Sequence, residues 1–229
     1  MSPSRRRREL LAALCAAPAA WLGATSPAQA QAFVPEEGRH YQALERRQPT
    51  ESPRRVEVLD FFWYGCPHCY NFLPDLEAWR KRQPADVAFK HSPIDFGDAA
   101  REPHARIFFA LQALGRAEEL HVKVFEAFHV QHRRLTDPGD IADFMAANGI
   151  PRDRWLEAFN SFSTANQVRR ARQTADAYGV DGTPMIGVGG RYLTAPSMLA
   201  DLSNPSRATL ATIDYLVDRL RRERQPSTS

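Results

Sequence analysis

Residues 56–70 read VEVLDFFWYGCPHCY, and this stretch limits the fold more than any other. Its apolar run, Val58-Leu59 and then Phe61-Phe62-Trp63-Tyr64, lacks a polar face, which suits a strand buried on both sides of a sheet better than an amphipathic helix. We expect it to be the central strand. The run stops at Gly65, Cys66-Pro67-His68-Cys69 follows, and YNFLPDLEAWRKR carries Phe72, Leu73, Leu76 and Trp79 at helical spacing. Cys66 then falls at a helix N-terminus, where unpaired N–H groups and the helix dipole stabilise a thiolate. Cys66 is the candidate nucleophile, and Cys69, one turn later, its partner in a redox disulfide. Half a zinc site and a structural disulfide are the competing readings. A site of four cysteines requires a second pair, and the only other cysteine, Cys15, lies in a segment expected to be removed, so no metal is expected.

Export is read from the first 30 residues. Arginines at positions 5–8, an apolar stretch from position 10 to about 22 that Pro18 interrupts, and Ala28-Gln29-Ala30 follow the order of a cleavable signal peptide. The stretch is shorter than the ~20 residues of a spanning helix. Arginines ahead of Leu10-Leu11 fit twin-arginine export as well as the general secretory route. Residues 1–30 hold four of the 30 basic and one of the 27 acidic residues, leaving 26 against 26. The mature chain is neutral, so a nucleic-acid role loses its electrostatic support. The remaining 199 residues suffice for one domain, or one carrying an insertion, and two cysteines are too few for a scaffold of structural disulfides.

Along the mature chain, residues 38–44 suggest a first strand at a sheet edge, and residues 87–91 a strand that closes a β-α-β crossover, placing the cysteines at a carboxyl end where ligand chemistry on open sheets collects. From 101 to 179 strand signals vanish and apolar residues recur at three- and four-residue spacing. This predicts a block of helices, with an N-cap in Thr136-Asp137-Pro138 and a break at Gly149-Ile150-Pro151. Strands over 185–188 and 191–194 and a helix after Asn204-Pro205 complete the pattern. Three polar side chains stand out. His68 lies between the cysteines, where its ring cation or N–H would stabilise the Cys66 thiolate. Asp60 is a carboxylate inside an apolar strand and needs a partner, for which Lys90 on the neighbouring strand is the expected cation. His129 and His132, an i,i+3 pair, read as surface.

The run VLDFFWYGCPHCYNF, taken with GVDGTPMIGVGGRY far downstream, resembles the DsbA family of periplasmic thiol-disulfide oxidases. Pro67-His68 between the cysteines and Thr183-Pro184 about 115 residues later occur together and in order, and the resemblance spans roughly residues 35–224. It implies an α/β thioredoxin-like fold with an inserted all-helical domain, residues 31–100 and 180–229 forming the thioredoxin-like part and 101–179 the insertion. It implies a cis Thr183-Pro184 bond beside the cysteines, with the Thr183 backbone pairing to an extended substrate as a strand would, and an Asp60 that moves protons to and from Cys69. It further implies a periplasmic monomer without a cofactor, which donates its disulfide to unfolded exported proteins and is reoxidised by a quinone-linked membrane oxidase of the DsbB type. A substrate thiolate would attack Cys66, and a second would resolve the mixed disulfide. Two alternatives remain. An isomerase or reductase of the same fold is disfavoured because dimeric periplasmic isomerases carry an N-terminal dimerisation domain, and only about 25 residues precede Val56 in the expected mature chain. A Cys-x-x-Cys module for a soft metal is separable by metal content and thiol titration.

Overall fold

The computed structural model of the protein describes residues 33–51 and 54–224; the expected signal peptide of residues 1–30, with Cys15, and residues 225–229 lie outside them. In chain order the elements are β1 (Gln42–Ala43), β2 (Val56–Phe62), α1 (Pro67–Arg80), β3 (Val87–Pro93), α2 (Glu102–Ala113), α3 (Ala117–His129), α4 (Pro138–Ala147), α5 (Arg152–Asn160), α6 (Phe162–Tyr178), β4 (Met185–Val188), β5 (Tyr192–Thr194) and α7 (Pro205–Arg224). One sheet has the order β1-β5-β4-β2-β3. β2 and β3 run parallel, joined by the α1 crossover, and the other pairs are antiparallel. The fold is α/β and thioredoxin-like, as the sequence leads one to expect.

All seven residues of β2 are buried, which is what its unbroken apolar run requires. Val56 and Val58 pack with Phe72, Leu76 and Trp79 of α1 and with Ile213, Leu216 and Val217 of α7. On the opposite face Leu59 and Phe61 meet Ala175 and Tyr178 of α6. β2 is an interior strand, but β4 holds the middle of the sheet, because β3 has no strand beyond it. β1 is likewise shorter than expected. The chain turns tightly at Gly38, whose N–H bonds the Tyr41 carbonyl, and only Gln42 and Ala43 then pair with β5.

The helical segment between β3 and β4 is built as the spacing predicts. Asp137 caps α4 by accepting from the N–H groups of Gly139 and Asp140, Ser161 caps α6 through the Thr164 N–H, and Gly179 ends α6 in the left-handed region at φ 70°. Its apolar stripes are core. Ile107, Leu111, Leu120, Phe125, Met145 and Trp155 join Phe62, Tyr64, Leu73 and both described cysteines in one buried cluster. The helices therefore share a core with the end of β2 and the start of α1.

Gly190 marks where the loop after β4 cannot take a side chain. Its φ is +67°, and a Cβ there would sit 2.2 Å from the Gln48 carbonyl oxygen, while its own carbonyl accepts from the Gln48 N–H at 2.7 Å. Gly190→Ala combines a left-handed backbone with a clash against main chain, so we expect a loss of roughly 1–3 kcal/mol. A lowered urea midpoint with unchanged slope checks this.

Candidate active site

Cys66 is the N-cap of α1, extended at φ −86° and ψ 116°, and Pro67 occupies the first turn, where the missing N–H costs nothing. The turn that delivers it is closed by the Cys66 N–H to the Trp63 carbonyl at 2.9 Å. Gly65 lets the Trp63 ring fold across that turn, since a Cβ would lie 2.3 Å from it and displace it. The Thr183-Pro184 bond is cis, and the Cys66 thiol donates to the Thr183 carbonyl at 3.2 Å. The downstream motif thus meets the cysteines, 117 residues away in sequence.

Both cysteines are free thiols, and both are buried, Cys66 at 6% and Cys69 at 4% exposure. What separates the two residues is chiefly electrostatics. A hydrogen bond from the Cys69 side chain does most to hold Cys66 down, to about 5, against burial, with the Thr183 side chain and the main-chain N–H groups of Cys69 and His68 adding to it. Burial pushes the Cys69 thiol far up, and the bond to Cys66 and the charges of Cys66 and Asp60 push the same way. His68 acts here through its main-chain N–H, one of the unpaired donors of the helix start, while its side chain is exposed.

Asp60 is 3% exposed and does have a partner, but the partner is not Lys90. His91 Nδ1 lies 2.8 Å from Asp60 Oδ2, and His91 Nε2 lies 3.2 Å from Glu77 Oε1. The reason is register. In the parallel pair Asp60 is opposite His91 and Leu59 is opposite Lys90, and successive side chains of a strand leave by opposite faces. Lys90 consequently projects to the other side of the sheet, where it meets Glu57 at 2.9 Å and Glu51 at 2.5 Å. Glu77 reaches the row because Cys69, Leu73 and Glu77 recur four apart on one helix face. Burial works against the Glu77 charge, yet His91 and Arg80 together lower its pKa to about 2.

A buried aromatic layer closes the site from the helical side. The Tyr64 hydroxyl is 2.9 Å from His121 Nδ1, and the His121 ring lies 4.2 Å from that of His91. Burial holds the Tyr64 phenol protonated and the His121 imidazole neutral, so this contact joins two uncharged groups. His129, read from sequence as surface, is half-buried: Nε2–H donates to the Tyr64 carbonyl at 2.8 Å, and the ring stacks on Tyr70 at 4.8 Å. Its helix packs on the chain just before Cys66, which spacing within α3 does not reveal. His132 is exposed. Among the described residues no group of three or more His, Cys, Asp or Glu has the arrangement of a metal site.

Residues 57–205 match the model of the DSBA-like thioredoxin domain. The thiol:disulfide interchange protein DsbA of Burkholderia cepacia is 38% identical over 191 residues, covering 83% of this chain and 88% of that protein. The crystal structure of Pseudomonas aeruginosa DsbA superposes with a TM-score of 0.76 at 34% identity, over 82% of this chain and 95% of that one. The oxidoreductase DsbA of Xylella fastidiosa gives 0.75 at 33% identity, over 83% and 100%.

The depressed Cys66 pKa sets a pH window. A group held below its unfolded value adds stability that is complete above that value, 9, and disappears as pH falls through the folded value of about 5. The disulfide form has no such thiolate. The melting temperature of the reduced protein relative to the oxidised one should therefore drop as pH is lowered from 9 to 5, and the 240 nm thiolate absorbance should titrate with a midpoint near 5. A midpoint near 9 would contradict the geometry.

Proposed function

The chain belongs to the DSBA-like thioredoxin domain family and is a thiol:disulfide oxidoreductase, and we propose that it works in the oxidising direction, donating a Cys66-Cys69 disulfide to newly exported proteins. The observation that carries this reading is the inequality of the two thiols: Cys66 is held down to about 5 while Cys69 is driven up. A stabilised thiolate stabilises the dithiol protein, and so makes its disulfide a stronger oxidant. The effect is about 30 mV, or ~1.4 kcal/mol, for each unit by which the Cys66 pKa lies below working pH.

In this mechanism a substrate thiolate attacks the Cys66 sulfur, Cys69 departs, and the mixed disulfide holds substrate beside the Thr183 carbonyl. A second substrate thiolate then attacks the substrate sulfur and releases Cys66 as its stable thiolate. The low pKa that makes Cys66 a good leaving group is what favours this second step over return. Strand-like pairing at Thr183-Pro184 recognises main chain, which suits substrates that are unfolded and of many sequences. The rest of the family pattern is part of the proposal: residues 1–30 as signal peptide, a periplasmic monomer, residues 101–179 as an insertion in the thioredoxin-like part, and reoxidation by a DsbB-type membrane oxidase.

Two measurements test it. Equilibration with glutathione should place the pair well above the roughly −270 mV of a reducing dithiol protein, and a potential at that level would assign a reductase instead. Cys69→Ser should accumulate mixed disulfides with substrate or glutathione through Cys66, whereas Cys66→Ser should trap little. Equal trapping by the two variants would reverse the assignment of nucleophile, and stoichiometric soft metal on the purified dithiol would favour a metal-binding role.

A further inference from the structure

A cavity of about 760 Å³ lies between α6 and the sheet face opposite α1, and the thiol chemistry makes no use of it. Its floor is mostly apolar: Leu59 of β2, Phe109 of α2, and Ala171 and Tyr178 of α6 are all buried. Its rim is polar. Gln48 comes from the loop before β2, Gln112 from α2, and Gln167 and Gln173 from α6, so four of the ten glutamines in the chain border one cavity. The volume falls within the ~300–1,000 Å³ of sites for organic ligands, and an apolar floor with a few convergent polar groups is how such sites are built.

The groups on this wall are uncommitted and, taken together, uncharged. Among the described residues the side chains of Gln112, Gln167, Gln173 and Arg170 make no hydrogen bond or ion pair. At the floor Tyr178 is 3% exposed, yet its O–H finds no acceptor, although the Gly190 N–H lies against its oxygen. A buried donor left unmade is costly, so a ligand that accepts from it is favoured. Lys90 bonds Glu57 at 2.9 Å and Glu51 at 2.5 Å, and Arg170 supplies the second cation. His91, which also borders the cavity, is answered by Asp60 and Glu77. The balance selects neither a polyanion nor a polycation, and leaves a ligand rich in uncharged donors and acceptors.

We propose that this groove binds extended polypeptide through its main chain, holding a stretch of an exported substrate other than the one whose cysteine reacts at Cys66. Each peptide unit carries one N–H donor and one carbonyl acceptor, and a glutamine carboxamide presents the complement of both. Pairing of this kind imposes no sequence, while the buried floor takes apolar side chains of the bound stretch. The groove is distinct from the Thr183-Pro184 loop, which meets Cys66 at the start of α1, because it lies on the other face of the sheet. No bond is made or broken in it. A chain held there presents its cysteine to Cys66 at a raised effective concentration, as any linked second contact does. That the bound chain is a substrate rests on the oxidase reading; that the groove binds polypeptide does not.

The test titrates reduced, carboxamidomethylated ribonuclease, a permanently unfolded chain without free thiols, into the isotope-labelled protein and follows the glutamine side-chain NH₂ signals by NMR. Those of Gln112, Gln167 and Gln173 should shift or broaden. The double variant Gln167→Ala, Gln173→Ala should bind the chain roughly five- to a hundredfold more weakly, as the loss of two hydrogen bonds predicts. Ala177→Trp, at an exposed position of the same wall, fills the groove and should weaken binding too, so it decides the matter if the double variant does not fold. In turnover the variants should show a raised KM for reduced, unalkylated ribonuclease, with kcat, the rate with dithiothreitol and the Cys66 absorbance titration unmoved. Glutamine signals that stay in place while the chain binds elsewhere overturn the groove, and so do variants that bind as tightly as the wild type. A wild type that binds the alkylated chain at these glutamines but cannot oxidise dithiothreitol would remove the oxidase reading and keep the polypeptide site, whereas an active wild type with unaltered variants sinks only the groove.

Discussion

Every residue of β2 is out of water, so both faces of that strand must be covered and the chain before and after it must supply the cover. Burying Phe61 and Phe62 is worth roughly 1.5–3 kcal/mol each. The cover comes from α1 and α7 on one face and α6 on the other, which is why the helical segment must fold back onto the sheet. The same strand ends in Trp63-Tyr64-Gly65 and hands the chain directly to α1. A rigid, fully buried strand followed by a three-residue turn fixes the helix start, and with it Cys66, relative to the Thr183 carbonyl on the neighbouring loop.

Within that dry setting the two thiols, Asp60 and Tyr64 are each paired or held uncharged, while Trp63 Nε1 and His121 Nε2 are buried without a hydrogen-bond partner. Cys66 lies where the donors of the helix start converge, and Cys69 one turn deeper, where burial dominates. Both residues are buried, and their difference in reactivity arises from the hydrogen bonds that converge on Cys66, that from Cys69 first, and from the stronger desolvation of Cys69. Asp60 is kept in the core only because His91 meets it, since removing one member of a buried ion pair typically costs about 3–5 kcal/mol. Tyr64, His121 and His129 pack the helices against this arrangement, so the helical segment forms one wall of the site as well as a cover for the sheet.

Much of this was legible from residue order alone. A continuous apolar run, a Cys-x-x-Cys pair at the start of a helical pattern, helix spacing from 101 to 179 and a Thr-Pro before an apolar strand are local signals, set by the 3.6- and 2-residue periods and by the chemistry of neighbouring residues. The α/β fold and the placement of Cys66 as a helix cap follow from them. Pairing across elements was harder. Lys90 and His91 are adjacent and both basic, and the choice between them depends on a one-residue register between β2 and β3. The two-residue length of β1 depends on the tight turn at Gly38 that precedes its pairing with β5, and His129 is half-buried because α3 lies against Tyr64.

By itself, then, the sequence determined the elements, their order, the reactive pair and the presence of a buried carboxylate that demanded a cation. The tertiary structure decided which cation answered, which residues joined it to the surface, and how unlike the two thiols became. The physical reason is that secondary structure and capping are governed by contacts a few residues apart, whereas register, burial and the electrostatics of Asp60, His91, Glu77 and Cys69 arise between groups that meet only when strand, helix and sheet pack together.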